Sequence, residues 1–366
     1  MSDLACRLIN VSGTKSNAPR VWEPLRVPRE AIAREVERLA DESRPDDGRR
    51  AASIVHPQSQ APGLGFSPGV DVTINVLKPG ESTVPIRRNS NQIEFCISGR
   101  GIVRAGQEVS HMERWDVCTI PSMQFYSHCN DGDELWIRLT YSNAPLLEKL
   151  GVHYLESASE AMKAVLVPRV ADRRYTRQNA PDVQIGEAGA RLRGYEFLTD
   201  IQVVDSKGLH WPWKDVSEYV SQSPGDDRRG IMLLYNPATG RRNGTTHSFF
   251  ATISSAPAGS PPRPADRGHR HSSVAMNYHF EGSGKSIVDG KTIEWQAGDL
   301  LLSAPAWSEH AHFIGPDGAR VLTVQDHPLH IGMESLIWQE RMDGPILTLG
   351  SESGQTGYVG PRQAGA

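Results

Sequence analysis

Two halves of this sequence carry the same punctuation about 183 residues apart, and that repeat limits the fold more than any other feature. ISGRG at 97–101 is echoed by FEGSG at 280–284, and the run from Trp115-Asp116 to Pro121 by the run from Gly298-Asp299 to Pro305. Around these marks lie short apolar or alternating runs bounded by Gly and Pro. VDVTINVLKPG, QIEFCISGRGIVRAG and ELWIRLTYS stand in the first half; GIMLLYNPATG, HSFFATISSA, VAMNYHFEGSG, KSIVDGKTIEWQAGDLLLSAP and RVLTVQDHP stand in the second. Period-two alternation closed by turn residues is strand patterning. With 366 residues the chain exceeds one ordinary core, so the repeat is read as a duplicated all-β barrel.

The segments between the barrels follow. Residues 1–65 read as an N-terminal arm that packs on the body, with one helix in PREAIAREVERLADES, where Ile32, Val36 and Leu39 have helical spacing behind a first-turn Pro. Residues 66–145 form the first barrel, 146–230 a helical and irregular connector, 231–345 the second barrel, and 346–366 a flexible Gly-rich tail. A helix is expected over 143–164, with Leu146, Leu147, Leu150 and Ala161 among its apolar positions. Asp289-Gly290 in VDGK fits a hairpin with a primed turn.

Several function classes are excluded by what the chain lacks. A formal charge of −4 without a long basic run leaves no electrostatic footprint for nucleic acid. No apolar run approaches a membrane span, and MSDLACRLIN does not have the layout of a signal peptide, so a cytoplasmic location is expected. Cys6, Cys96, Cys118 and Cys129 form no Cys-x-x-Cys pair; Cys96 and Cys118 are expected as buried thiols.

The second repeat holds the residues that carry chemistry. His269 and His271 are two apart, so on a strand both side chains share one face. His310 follows a turn and a further strand, and barrel closure brings it to the same interior point. Three neutral imidazoles form a half-shell suited to a divalent first-row metal, with open positions for further ligands. The competing reading is three buried structural histidines. His312, two beyond His310, is either a proton shuttle or substrate contact in that cavity, or an exposed strand-end histidine. Asn277 and His279 share the ligand face; each is a catalytic contact or a satisfied core polar residue. Trp307 either walls the pocket or is a core tryptophan. Arg267 is a candidate to bind a substrate carboxylate; Arg270, out of phase with the ligands, is expected to be exposed.

In the first repeat the matching places are Ile86 and Arg88 for the histidine pair, Tyr126 for the third histidine and Glu94 for Asn277. An Ile ligates nothing, so this barrel is expected to be metal-free. Arg87, Arg88 and Glu94 are read either as an ion pair at the surface or barrel mouth, or as a vestigial or regulatory pocket.

The register His-x-His, a polar residue six further on, a Gly turn, then Gly-Asp, Pro and His resembles the cupin superfamily, with Asn277 at the place of the usual motif glutamate. RRAASIVHP, LKPGES, APLLEKL, the PW of HWPWKD, YNPATG, GHRHSSVA, EGSGKSIVDGK, PAWSEHAH and QDHP resemble segments of the bicupin ring-cleaving dioxygenases. That group contains gentisate, salicylate and 1-hydroxy-2-naphthoate dioxygenases; a 5-nitrosalicylate dioxygenase is within its range. The resemblance implies two double-stranded β-helix (jelly-roll) barrels, one mononuclear Fe(II) and a homotetramer. It also implies O2 as co-substrate and cleavage of a small aromatic hydroxy acid between its carboxyl- and hydroxyl-bearing carbons, a step of aromatic hydrocarbon catabolism. Well-known members hold the iron in the first barrel, whereas here the intact triad is in the second. The alternatives are another cupin dioxygenase with the same three histidines, acting on a thiol or a diketone, and a non-catalytic or differently specific metal-binding bicupin.

Overall fold

The computed structural model describes residues 8–13, 21–158, 181–185, 187–195, 204, 206–220, 230–258, 260 and 268–349. Strands dominate, as the two-residue alternation demands: Asp71–Leu77 alternates half-buried and buried side chains along most of its length. The first barrel is built from two sheets. In one, strands pair in the order His210–Trp211, Val117–Ile120, Gln92–Ser98, Trp136–Ser142, Asp71–Leu77 and Arg50–Ile54. In the other the order is Leu155–Ser157, Ile86–Arg88, Tyr126–Cys129, Gly101–Ala105 and Glu108–Met112.

The second barrel has the same plan with longer strands. Ala275–Val288 pairs with His310–Gln325 along nearly its whole length, and with Leu300–Ala304 and Lys291–Gln296 on its other side. Asp289 and Gly290 close the expected hairpin with φ of 46° and 79°, the backbone a primed turn requires. Two β-barrels of this kind make a bicupin.

The core runs through both barrels. Phe95 of the first barrel meets Tyr278 and Phe280 of the second at ring separations of 5.5 and 5.6 Å. Cys96 and Cys118 are buried, and both are free thiols.

Two expectations change. The helix expected over 143–164 spans only Ala144–Lys149. The chain turns at Gly151, with φ of 69°, and continues as the strand Leu155–Ser157 on the first barrel; Ala161 lies outside the described residues. The arm does more than pack on the body. Its helix Arg29–Asp41 buries Ile32, Val36 and Leu39 as the spacing predicts. The strand before it, Leu25–Val27, pairs with Leu300–Leu302 of the second barrel. The connector does the reciprocal thing: His210–Trp211 pairs with Val117–Cys118 of the first barrel, and the helix Trp213–Val220 follows.

One aspartate per barrel holds each of these clips. Buried Asp299 accepts from the Arg29 backbone N–H and from Arg26 Nε, both at 2.8 Å, and from the Gln296 N–H at 2.9 Å. Asp116 accepts from the Trp213 N–H at 2.6 Å and the Glu113 N–H at 2.9 Å, and lies 2.9 Å from His210 Nε2. The repeat therefore includes a strand-Pro-helix clip, VPR at 27–29 and WPW at 211–213, each laid across the other unit's barrel.

Candidate metal centre

His269 and His310 form a two-way backbone bridge, with N···O distances of 3.2 and 2.9 Å, at one end of the second barrel. The neighbouring strand Arg270–His271 pairs with Ile337–Gln339, which fixes His271 beside them. The ring centroids stand 4.5 Å apart for His269–His310, 4.9 Å for His271–His310 and 5.7 Å for His269–His271. One ligating nitrogen from each lies within 4.8 Å of the others, close enough for one ion to gather all three.

Hydrogen bonds select the nitrogen that faces an ion. His271 Nδ1 is 2.9 Å from the Ser273 carbonyl oxygen, and His310 Nδ1 is 3.0 Å from the Ser308 carbonyl oxygen. A carbonyl only accepts, so each Nδ1 carries the proton and each Nε2 keeps its lone pair. His271 and His310 are 1% and 2% exposed. Burial, and for His271 also the neighbouring imidazoles, pushes both below the ordinary histidine range, so both are neutral at pH 7 as ligation requires. The donor set thus fits a borderline divalent ion with three nitrogen ligands.

Two residues not singled out in the sequence complete this wall. Trp338 stacks on His269 at 4.8 Å and 13°. His327, at the start of the helix His327–Gly332, packs against His271 at 5.0 Å between rings. Ser273 Oγ links the two, 2.9 Å from His271 Nδ1 and 2.5 Å from His327 Nδ1. With His271 Nδ1 already a donor, the Ser273 hydroxyl gives its proton to His327, which leaves His327 with an Nε2–H. Burial pushes His327 down to about 3, so it too is neutral. QDHP contained the signal for His327, but nothing in its spacing tied it to the triad.

The other expected site residues divide. His312 is half-buried, with its ring 5.7 Å from that of His310 and Nδ1 2.8 Å from Ser286 Oγ. Ser286 Oγ in turn accepts from the Trp295 indole N–H at 3.0 Å. His279 is buried and stacks flat on Trp295 at 3.9 Å and 16°. Asn277 is buried; its amide donates to Ser303 Oγ at 2.9 Å, and its carbonyl oxygen is unpartnered. Trp307 is half-buried under the Arg270 guanidinium at 4.6 Å. Arg270 also donates to Gln339 at 2.7 Å, so it is held at the site's edge and is not exposed as expected. Arg267 lies outside the described residues.

The first barrel shows what stands in the same frame without ligands. Ile86 pairs with Tyr126 as His269 pairs with His310. Glu94 is not at a barrel mouth with Arg87, which pairs instead with Glu156. It is buried beside Arg138 at 2.8 Å and His128 at 3.0 Å. Burial raises the Glu94 carboxyl, but Arg138 and His128 more than offset this, so it stays ionised; burial and Arg138 push His128 down to about 4.

Among known proteins, no family model matches the chain. It is 26% identical over 269 residues to a 1-hydroxy-2-naphthoate 1,2-dioxygenase of Nocardioides sp. (strain KP7), covering 72% of this chain and 64% of that protein's length. It is 25% identical over 327 residues to a gentisate 1,2-dioxygenase of Haloferax sp., covering 84% of this chain and 83% of that one. The solved structure of a salicylate 1,2-dioxygenase from Pseudaminobacter salicylatoxidans superposes with a TM-score of 0.70 at 16% identity, over 90% of this chain and 93% of that one; at that identity the likeness concerns the fold. The duplicated barrel, the motif register and these sequence relatives converge: in fold and in sequence the chain is similar to the bicupin ring-cleaving dioxygenases.

Proposed function

We propose that this chain is an Fe(II)-dependent dioxygenase that cleaves the ring of a salicylate- or gentisate-like ortho-hydroxybenzoate, using O2, between the carboxyl- and hydroxyl-bearing carbons. The observation that carries the reading is the three-nitrogen cluster His269, His271 and His310, with two of its Nε2 lone pairs fixed by carbonyls. Bound there, Fe(II) supplies the charge and open positions that chelate an ortho-hydroxy carboxylate and favour its phenolate form. Neutral imidazoles without a carboxylate leave the ion's charge undiminished for such a dianionic chelate.

The chain's own share is proton handling, shape and exclusion of water. His312, steered by Ser286 and Trp295, takes the phenol proton. His327 offers its Nε2–H as a donor beside His271. Trp307 with Arg270 above it and Trp338 stacked on His269 form the walls, and Arg267 is assigned the recognition of the carboxylate. Asn277 and His279 support the barrel wall behind the ligands. We further propose a cytoplasmic homotetramer; no described helix is long and apolar enough to cross a membrane.

Anaerobic Fe(II) reconstitution followed by oxygen uptake with gentisate and a panel of substituted salicylates, 5-nitrosalicylate included, tests the activity. Uptake with at least one is expected, and uptake with none removes the ring-cleavage reading. His269→Ala abolishes iron binding and Tyr126→Phe leaves it intact; stoichiometric iron retained in the first variant places the metal elsewhere.

A further inference from the structure

The strand Ile337–Gln339 runs along Arg270–His271 and carries a tryptophan at its centre. Trp338 lies directly across from His271 in that pairing, so both side chains leave the sheet on one face. His269, two residues before His271, is the diagonal neighbour on that face, within reach of an aromatic side chain. The indole lies flat on the His269 ring at 4.8 Å and 13°, and meets the His271 ring at 5.1 Å with a tilt of 31°. The indole is itself pinned. Its N–H donates to Glu340 Oε2 at 2.8 Å, and Leu347 pairs with Trp338 from the far side of the strand. Trp338 is 5% exposed.

The first barrel holds the same place without a ligand. Leu155 pairs there with Arg88 as Trp338 pairs with His271, at the spacing of the repeat. Ile86 stands for His269, and Leu155 for Trp338. Leu155 is 52% exposed, and among the described residues its strand ends its sheet, whereas the strand of Trp338 is backed by Leu347–Thr348. Burial at this place is therefore no part of the barrel plan. A buried, flat-lying aromatic stands in the barrel that has a histidine to lie on. His271 and His310 are oriented through Nδ1 by carbonyls, and stacking does the corresponding work for His269. A ring held flat keeps its lone pair toward the ion and loses less freedom when the ion binds. A ligated imidazole also carries part of the ion's charge, which the indole face attracts.

We infer that Trp338 is a positioning residue of the metal centre, which sets the His269 ring for ligation. This rests on the reading of the three histidines as a metal site, and the test separates the two. Co(II) alone is titrated into the full-length chain, and its affinity is measured by competition with a chelator, with no substrate and no turnover. The unaltered chain binds one equivalent. Trp338→Leu, which copies the first barrel, weakens Co(II) about tenfold, changes the Co(II) absorption spectrum and shrinks the rise in Tm on loading. Trp338→Phe keeps a flat ring, restores the spectrum and stays within about threefold of the unaltered affinity. Glu340→Ala removes the acceptor of the indole N–H, leaves the packing in place and moves affinity the same way by a smaller factor. Melting curves confirm that each variant folds. A tryptophan that only fills space would lower the Tm of metal-free and loaded protein alike and leave affinity and spectrum unchanged. That result overturns the inference, as does a phenylalanine variant no better than the leucine one. Failure of the unaltered chain to bind Co(II) removes the metal reading and the inference with it.

Discussion

Ser273 occupies one of the more consequential positions in the second barrel, although it ligates nothing. Its hydroxyl and carbonyl both reach His271 Nδ1, and the hydroxyl also reaches His327. Orientation of a ligating imidazole by its second nitrogen accounts for about ten- to hundredfold in metal affinity. Ser273→Ala keeps the carbonyl but frees His327, so the expected loss lies near the lower end, about tenfold in Fe(II) affinity by competition with a chelator; unchanged affinity refutes the role. The triad itself was legible in the sequence because its spacing is local: two histidines on one strand face, then a third at a fixed distance past a Gly-Asp and a Pro. Ser273 was invisible because a serine beside a histidine means nothing until a helix from residue 327 onward packs over it. Glu94 misled for a similar reason. Its partner Arg138 lies 44 residues and five strands further along the chain, so a neighbouring arginine was the ion pair the sequence offered.

At the level of elements, the two clips explain why the Gly-Asp and Trp-Asp marks recur. Asp299 turns the clip Leu25–Val27 and its helix onto the second barrel through one backbone and one side-chain donor from the arm, and a further backbone donor from its own turn. Asp299→Ala removes these acceptors and leaves the Arg29 and Gln296 N–H groups unpaired beside the core, at a cost of about 2–4 kcal/mol. Urea denaturation reads the loss, and trypsin cleavage at Arg26 or Arg29 should accelerate as the clip detaches. A stable variant with unaltered cleavage means the clip is held by its helix alone. The helix Arg29–Asp41 was readable from its periodicity, and the strands from their alternation. The exchange of clips was not, since two tripeptides with a central Pro carry too little information to fix which barrel each will join.

Across the whole molecule, acid should be the weak side of stability. Burial holds His279 and His327 down to about 3 and His128 to about 4, so all three rings are neutral in the folded chain at pH 5. In the unfolded chain each takes up a proton at about pH 6.5. Between these values the unfolded state binds more protons, and stability falls as pH falls, by about 2 kcal/mol for His279 and again for His327 at pH 5. Asp71 acts in the opposite sense: held at about 6 by burial, it binds its proton first in the folded state and returns about 1 kcal/mol over the same range. The histidines outweigh it. In urea titrations of metal-free protein, unfolding free energy should therefore drop by a few kcal/mol from pH 7 to pH 5, and His279→Leu should flatten that slope while leaving metal binding at the three-histidine cluster intact. Stability that holds level or rises toward pH 5 contradicts neutral burial of these rings. With a metal ion bound the same descent becomes steeper, because protons and metal then compete for the imidazoles of His269, His271 and His310.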